Sequence, residues 1–553
     1  MKKNLSWYIN RLKKMSISEV NHRFFELTLL FYDKLYFKSG WRSNGNEIDW
    51  DVLGQTDINL NPYKSILLHA LKPKYRDNIV FDNTHFFKFQ SSPENTDLRA
   101  VWDASRFNNV LLSSFDDNNV ASVHDLLANW MKLNRPLIGV NYISTMECAI
   151  RCINLYAALI NLPFDKVIKH DLSTIASEFF YTNYVLIKHR ISKYSSRGNH
   201  TLFEYCGLAT CAKALGFVDE SKVWIQKFCV EFDLQTNKDG SGVEQSTAYH
   251  LFNVEALCFV DKYLQEGSSK SRKFQASIKF LSSILNENKI IRIGDSDSSI
   301  LFTNVFVMEL VNNYRFNSDR YHEMVNYSDC GIFSHRNESY SLIFKYGFLG
   351  MAPLFGHGHY NFLSIILSDN NGDLITADDQ TYLYSSKLRS ELRSSKSHSM
   401  PSFENDDIQQ LTPFSWDEGR TGELLYSDEE YVSARYIRND SLGLKRTVEF
   451  NQDYLIVIDE KVGKIDDSIF FVNWNVLSCN VGFHFFAITF YGEVVAVSPC
   501  VNEIYYSSSY NLYEDGMAVR KTIKSKSTYE KIVTLITLSD NLCVETLVRS
   551  RFS

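Results

Sequence analysis

The sequence predicts a two-part α+β protein, a helical half over residues 1–325 followed by an antiparallel β-sandwich over residues 326–553. Three observations predict it. The chain has 553 residues, more than one hydrophobic core supports. From about residue 60 to 320 apolar positions recur at three- and four-residue steps, the period of a helix with one buried face. After Tyr327 short β-rich runs separated by turn residues take over.

The helical half is clearest at Met146, Ala149, Ile150, Ile153, Tyr156, Ala157 and Ile160, which line one helix face. Similar stretches follow at 173–192, 202–215, 219–233, 247–265 and 271–287, and their short polar connections suit antiparallel helix pairs. In the second half strands are expected at Tyr340–Phe344, Phe362–Leu367, Tyr431–Ile437, Tyr454–Asp459 and Ile532–Leu538, with a turn at Asp369-Asn370-Asn371-Gly372. So many short strands make a sandwich. No linker rich in Gly, Ser or Pro divides the halves.

Composition narrows the functional classes. At 44% hydrophobic and 22% charged residues the chain is a globular protein rather than a disordered one. Its net charge of −7 argues against nucleic acid as a partner, since phosphate binding needs a cationic surface. A local group of arginines could still meet an anionic sugar. The 31 Tyr, 39 Phe and 8 Trp could supply stacking faces for sugars, although most rings of this kind fill cores. The ten cysteines contain no CxxC and read as buried free thiols of a reducing compartment. The opening MKKNLSWYINRLKKMSISEV has no apolar signal region, so a cytoplasmic location is expected. No apolar run is long enough to span a membrane. The aromatic segment Phe24 to Phe37 reads as a packed helix.

Four clusters could carry chemistry. Arg197-Gly198-Asn199-His200-Thr201 precedes a helix, with Thr201 and Glu204 spaced as a capping box. Asp239-Gly240-Ser241-Gly242-Val243-Glu244-Gln245-Ser246-Thr247-Ala248-Tyr249-His250 reads as a glycine-rich turn entering a helix. His357-Gly358-His359 lies at the expected start of a strand, where residues two apart share a face. Asp378 and His398 complete, with His359, a nitrogen and carboxylate donor set of the kind zinc accepts. Each cluster alone also has a structural reading, as a cap, a turn or a satisfied core histidine.

Taken in order, these clusters resemble the heparinase II/III family of polysaccharide lyases, over roughly residues 95–480. Trp102-Asp103-Ala104-Ser105-Arg106 resembles a helix motif of that family, and Met146-Glu147 with Arg151 and Ile293-Gly294-Asp295-Ser296-Asp297 are also similar. Two departures stand out. Tyr360-Asn361 follows the paired histidines where the family usually has Ala-Asp, and Asp378-Asp379-Gln380-Thr381-Tyr382 replaces its Asp-x-Gly-Thr-Tyr.

The resemblance implies an incomplete (α/α) toroid before the sandwich, and β-elimination on an acidic, uronate-containing polysaccharide or oligosaccharide. A base removes the proton at C5, the bond from C4 to the bridging oxygen breaks, and a C4–C5 double bond remains. In these terms Asn199 would neutralise the substrate carboxylate. Tyr249 and His357 would act as base and acid. His200, Glu244, Arg106, Arg151 and Arg197 would surround the substrate, with Arg99 as a further cation. His359, Asp378 and His398 would hold a structural divalent ion, zinc, that orders the loop bearing His357. Alternatives are a uronyl C5-epimerase on the same fold, separable by its inverted rather than unsaturated product, and a non-catalytic glycan-binding protein indifferent to loss of Tyr249. A glycoside hydrolase would need two facing carboxylates.

Overall fold

The structure is a computed structural model. It describes residues 15–552 apart from 39–46, 55–59, 72–85, 87–97, 118, 164–170, 195–196, 265–271, 287–288, 296–299, 318–322, 377, 379–385, 387, 405–407, 440–441, 464–467, 479–480, 510–511 and 539–542. The fold class is the expected one, a helical toroid part and an antiparallel β-sandwich. The chain forms two compact units that do not follow the expected 325/326 boundary. One comprises residues 1–235, 252–270 and 299–307, and the other residues 236–251, 271–298 and 308–553. Segments 236–251 and 271–298 belong with the sheets because their polar groups bond there. Asp329 Oδ2 accepts the backbone N–H groups of Lys238 and Asp239, Asp239 Oδ2 accepts that of Asp329, and Ser283 Oγ meets the Tyr327 hydroxyl at 2.6 Å.

In the helical unit the expected periodic stretches form the helices Thr145–Ile160, Leu172–His189, Asn199–Ala214 and Val218–Gln235. They differ from the expected bounds by only a few residues. Helix Thr145–Ile160 is buried on nearly every side, as its even spread of Ala, Ile, Leu and Cys allows. The helix Ile17–Lys38 departs from the packed reading. Phe24, Phe25 and Phe31 are exposed while Glu19 and Asp33 are buried, Asp33 against His189 at 2.8 Å. Polar partners, not apolar burial, hold its inner face. The cysteines described are free, and no helix among the described residues is long and apolar enough to cross a membrane.

The sheet unit contains a seven-stranded antiparallel sheet in the order Gly422–Ser427, Tyr431–Asn439, Leu442–Phe450, Tyr454–Gly463, Tyr529–Thr537, Gly482–Thr489, Val494–Ala496. A second sheet of nine strands runs from Cys500–Ser509 through Phe470–Val476 and Ser364–Asp369 to Glu323–Tyr327. Alternation places Val432, Leu444, Val457 and Ile532 of the first sheet against Phe344, Ile365, Leu367 and Trp474 of the second in one core. The turn expected at Asp369 forms, closed by Asp369 Oδ1 accepting the N–H groups of Asn371 and Asp373.

One ion pair is fully buried in that core. Arg446 meets both oxygens of Asp459 at 2.7 and 2.9 Å. Its remaining donor Nη1 reaches the carbonyls of Leu363 and Ser399, and the guanidinium lies 4.9 Å from the Trp474 ring centroid. It therefore ties two loops to the sheet. Arg446→Met leaves a buried carboxylate without its cation, which costs about 3–5 kcal/mol. A lowered melting transition is expected, partly restored in Arg446→Met/Asp459→Leu; a single variant that melts like the parent would contradict it.

Candidate active site

The site in the sheet unit is assembled from loop ends. Its first piece is the start of helix Thr247–Phe259. Ser246 caps this helix: its hydroxyl oxygen accepts the Tyr249 N–H at 3.2 Å and its O–H donates to the Asp295 carbonyl at 2.5 Å. The Thr247 hydroxyl donates to the Ile291 carbonyl and accepts from the Ile293 N–H. The cap thus fixes Tyr249 and the segment 291–295 together. The adjacent His250 turns inward against Phe280, and burial pushes its pKa down to about 4.

The second piece is the His357–His359 loop. It is not the start of a strand, since the strand begins only at Ser364. Both imidazoles nevertheless reach one group. His357 Nδ1 lies 3.1 Å from Asp295 Oδ2, and His359 Nε2 lies 3.0 Å from Asp295 Oδ1. Gly358 between them has no room for a side chain, because a Cβ would sit 1.2 Å from the Leu349 carbonyl oxygen. The Tyr249 and His357 rings face each other with centroids 4.3 Å apart, and His357 Nε2 is 3.4 Å from Glu244 Oε2.

The third piece is the short helix Leu388–Leu392 and the residue after it. Arg389 grips Asp295 with two bonds, Nη1 to Oδ1 at 2.8 Å and Nη2 to Oδ2 at 2.6 Å. Burial alone would raise the Asp295 carboxyl, but Arg389 and the two histidine hydrogen bonds outweigh it and hold it well below the usual carboxylate range. Arg393, one turn on, donates to the carbonyls of Gly356 and Gly358 at 2.9 Å each, bracketing His357. Asp295, Arg389 and Arg393 were not assigned roles from the sequence. The signals were present in the Gly294-Asp295 pair and in two arginines at helical spacing ahead of His398.

The expected metal donors are neighbours and all are buried. The His359 and His398 ring centroids are 5.4 Å apart, and His398 Nδ1 is 3.4 Å from Asp378 Oδ1. Asp378 Oδ2 accepts hydrogen bonds from Asn361 and Ser364, which explains the asparagine after the paired histidines. Burial, opposed by Asp295, pushes His359 down to about 4, so its ring is neutral near pH 7. His359 Nδ1 and His398 Nε2 are buried with no hydrogen-bond partner. Among the described residues no three His, Cys, Asp or Glu side chains close into a ligand cage. Imidazole nitrogens without a hydrogen-bond partner beside a carboxylate are nonetheless the donor types a divalent ion takes.

The remaining candidates lie in the helical unit. Asn199 is buried at the first turn of helix Asn199–Ala214, and His200 is half-buried. The capping box expected here does not form. Thr201 donates to the Ser192 carbonyl, while Glu204 accepts from the Ser192 N–H and hydroxyl and from Thr145. Burial pushes the Glu204 carboxyl up to about 7. Two of the arginines expected at the substrate have internal roles instead. Arg106 is buried in a two-pronged ion pair with Glu147 at 2.8 and 2.7 Å. Arg151 is fully buried, 5.0 Å from the Trp130 ring centroid and bonded to the Asn141 carbonyl. The correction follows from their burial, Arg106 in the turn between the helices Leu98–Ala104 and Asn108–Ser113 and Arg151 on helix Thr145–Ile160. Arg197 faces solvent, paired with Glu231.

Fold and site together define a class: a helical unit and a β-sandwich unit, with a tyrosine and a histidine set over a buried, arginine-bound carboxylate. Residues 141–285 match the model for the heparinase II/III N-terminus and residues 319–523 that for the heparinase II/III-like C-terminal region. The chain belongs to the heparinase II/III-like family of polysaccharide lyases. Among curated proteins none matches it. Solved structures of similar fold include a heparinase III (TM-score 0.64, 16% identity, 91% of this chain and 88% of that one). Others are a heparan sulfate lyase from Pedobacter heparinus (0.51, 15%, 93% and 88%) and a chondroitin AC lyase from Streptomyces coelicolor (0.52, 10%, 90% and 82%).

Gly294 is what lets the segment before Asp295 approach the other two pieces. Its φ is +70°, and a Cβ there would meet the Gln245 carbonyl oxygen at 2.3 Å and that of His357 at 2.9 Å. Gly294→Ala adds about 1–3 kcal/mol of backbone strain to that overlap. A clear fall in melting temperature is expected; a variant that melts with the parent would contradict this packing.

Proposed function

We propose that the protein cleaves a uronate-containing acidic polysaccharide by β-elimination, with Tyr249 and His357 moving the proton. The observation that carries the reading is the Tyr249–His357 pair, rings 4.3 Å apart, with His357 tethered through Nδ1 to a buried carboxylate. The C5 proton passes to this pair, its bonding electrons form the C4–C5 double bond, and the C4–oxygen bond breaks. The departing oxygen then takes a proton from the same pair, so acid and base can share one group of atoms. The C5 proton is weakly acidic because the adjacent carboxylate is already negative. Asn199, as the hydrogen-bond donor to that carboxylate, would offset the growing charge. Comparison proteins named for heparan sulfate and chondroitin sulphate support an acidic glycan as the substrate class.

His359, through Nδ1, Asp378 and His398 would hold one divalent ion, zinc by ligand type. Such an ion would supply a structural cross-link. The chain's own part is to keep His359 neutral and to aim the loop so that His357 faces Tyr249.

Tyr249→Phe should lower turnover by at least about 100-fold while leaving the melting temperature nearly unchanged. The assay is the ultraviolet absorbance of the unsaturated product on a panel of acidic polysaccharides; near-normal turnover would remove Tyr249 from the mechanism. An inverted uronate without unsaturation would mean epimerisation instead. A parallel comparison tests the metal. Protein purified without added metal should carry about one ion per chain, kept in His357→Ala and lost, with a drop in melting temperature, in His359→Ala. Loss of the ion from both variants would sink the division of roles.

A further inference from the structure

We propose that Asp295, clamped by Arg389, is a positioning residue that imposes opposite ring tautomers on His357 and His359. The proposal deepens the lyase reading and rests on it. Asp295 is buried, and each of its oxygens is bonded in the same way. Oδ2 takes His357 Nδ1 and Arg389 Nη2; Oδ1 takes His359 Nε2 and Arg389 Nη1. An ionised carboxylate only accepts hydrogen bonds. The ring nitrogen facing it must therefore carry hydrogen, which is Nδ1 in His357 and Nε2 in His359.

When a ring carries a single proton, its lone pair is then on the other nitrogen. In His357 this is Nε2, the nitrogen 3.4 Å from Glu244 on the ring that faces Tyr249. In His359 it is Nδ1, the buried nitrogen without a hydrogen-bond partner. One carboxylate thus prepares a proton acceptor on one ring and a metal donor on the other, two residues apart. Arg389 is part of the device because it places one N–H donor on each Asp295 oxygen and so holds both oxygens as acceptors facing the two rings. Its Nη2 also reaches the Pro413 carbonyl, so the guanidinium cannot swing away from Asp295 without breaking a second contact.

The isosteric variant Asp295→Asn separates this role from simple packing. An amide offers one oxygen and one NH2 group. It can satisfy only one of the two imidazoles as they stand; the other must flip its tautomer or lose its bond. The test uses full-length protein labelled with nitrogen-15 in histidine, with ring shifts assigned by His357→Ala and His359→Ala. The parent is expected to show His357 protonated at Nδ1 and His359 at Nε2, a reading that needs no variant of Asp295 and no substrate. In Asp295→Asn at least one ring should change tautomer. Turnover should fall by about 100-fold or more, with KM within about threefold, or the metal content should drop. Either reversed tautomers in the parent, or a variant with both tautomers, metal and turnover unchanged, overturns the proposal. A parent with the expected tautomers but no activity on any acidic polysaccharide would instead refute the lyase reading and leave the tautomer assignment standing.

Discussion

The candidate site in the sheet unit is held together by the contact between Asp295 and Arg389. Tyr249 stands at a helix start, the two histidines on an irregular loop, and Arg389 on a helix of a single turn. The histidine loop and the single-turn helix are not held by a long ladder of backbone hydrogen bonds. A charge-assisted, two-pronged pair withdrawn from water is among the few contacts stiff enough to fix loops. Removing either partner strands a buried charge. Arg393 and Arg446 extend the pattern, each ending on backbone carbonyls of the same loops: Gly356 and Gly358 for one, Leu363 and Ser399 for the other.

The same principle explains why arginines were misread. On composition alone, an arginine on a helix is a cation available to an anionic ligand. Arg106, in an interhelical turn, and Arg151, on a buried helix, both point inward, and the guanidinium spreads its charge over a flat group that an aromatic ring or a carboxylate can cover. Glu147 answers Arg106, and Trp130 and Tyr142 flank Arg151. Several arginines of this chain serve its interior rather than its surface.

How much was legible follows from the range of each signal. Helices such as Leu172–His189 and strands such as Tyr454–Gly463 were readable because their periodicity is local. The ordered clusters marked Tyr249, His357, His359, Asp378 and His398, and these do lie within one unit. What was lost is non-local. Asp295 and Arg389 are 94 positions apart, and nothing in either neighbourhood announces the other. The Thr201–Glu204 spacing imitated a cap, yet Glu204 was drawn to Thr145, 59 positions away. The real cap, Ser246 to Tyr249, was hidden inside a motif valued for its tyrosine. The paired histidines looked like a strand because their spacing is even, and tertiary bonds to one carboxylate produced the same pairing without any strand.

The crowding at Gly358 has an outcome for the protein's history. With a carbonyl oxygen filling the space where a side chain would begin, that position admits one amino acid, and an inserted or deleted residue would slide both histidines out of register. The loop is therefore closed to gradual variation. Divergence toward new substrates has to come from residues outside this loop. A laboratory effort to redirect specificity would face the same division between a fixed frame and an editable rim.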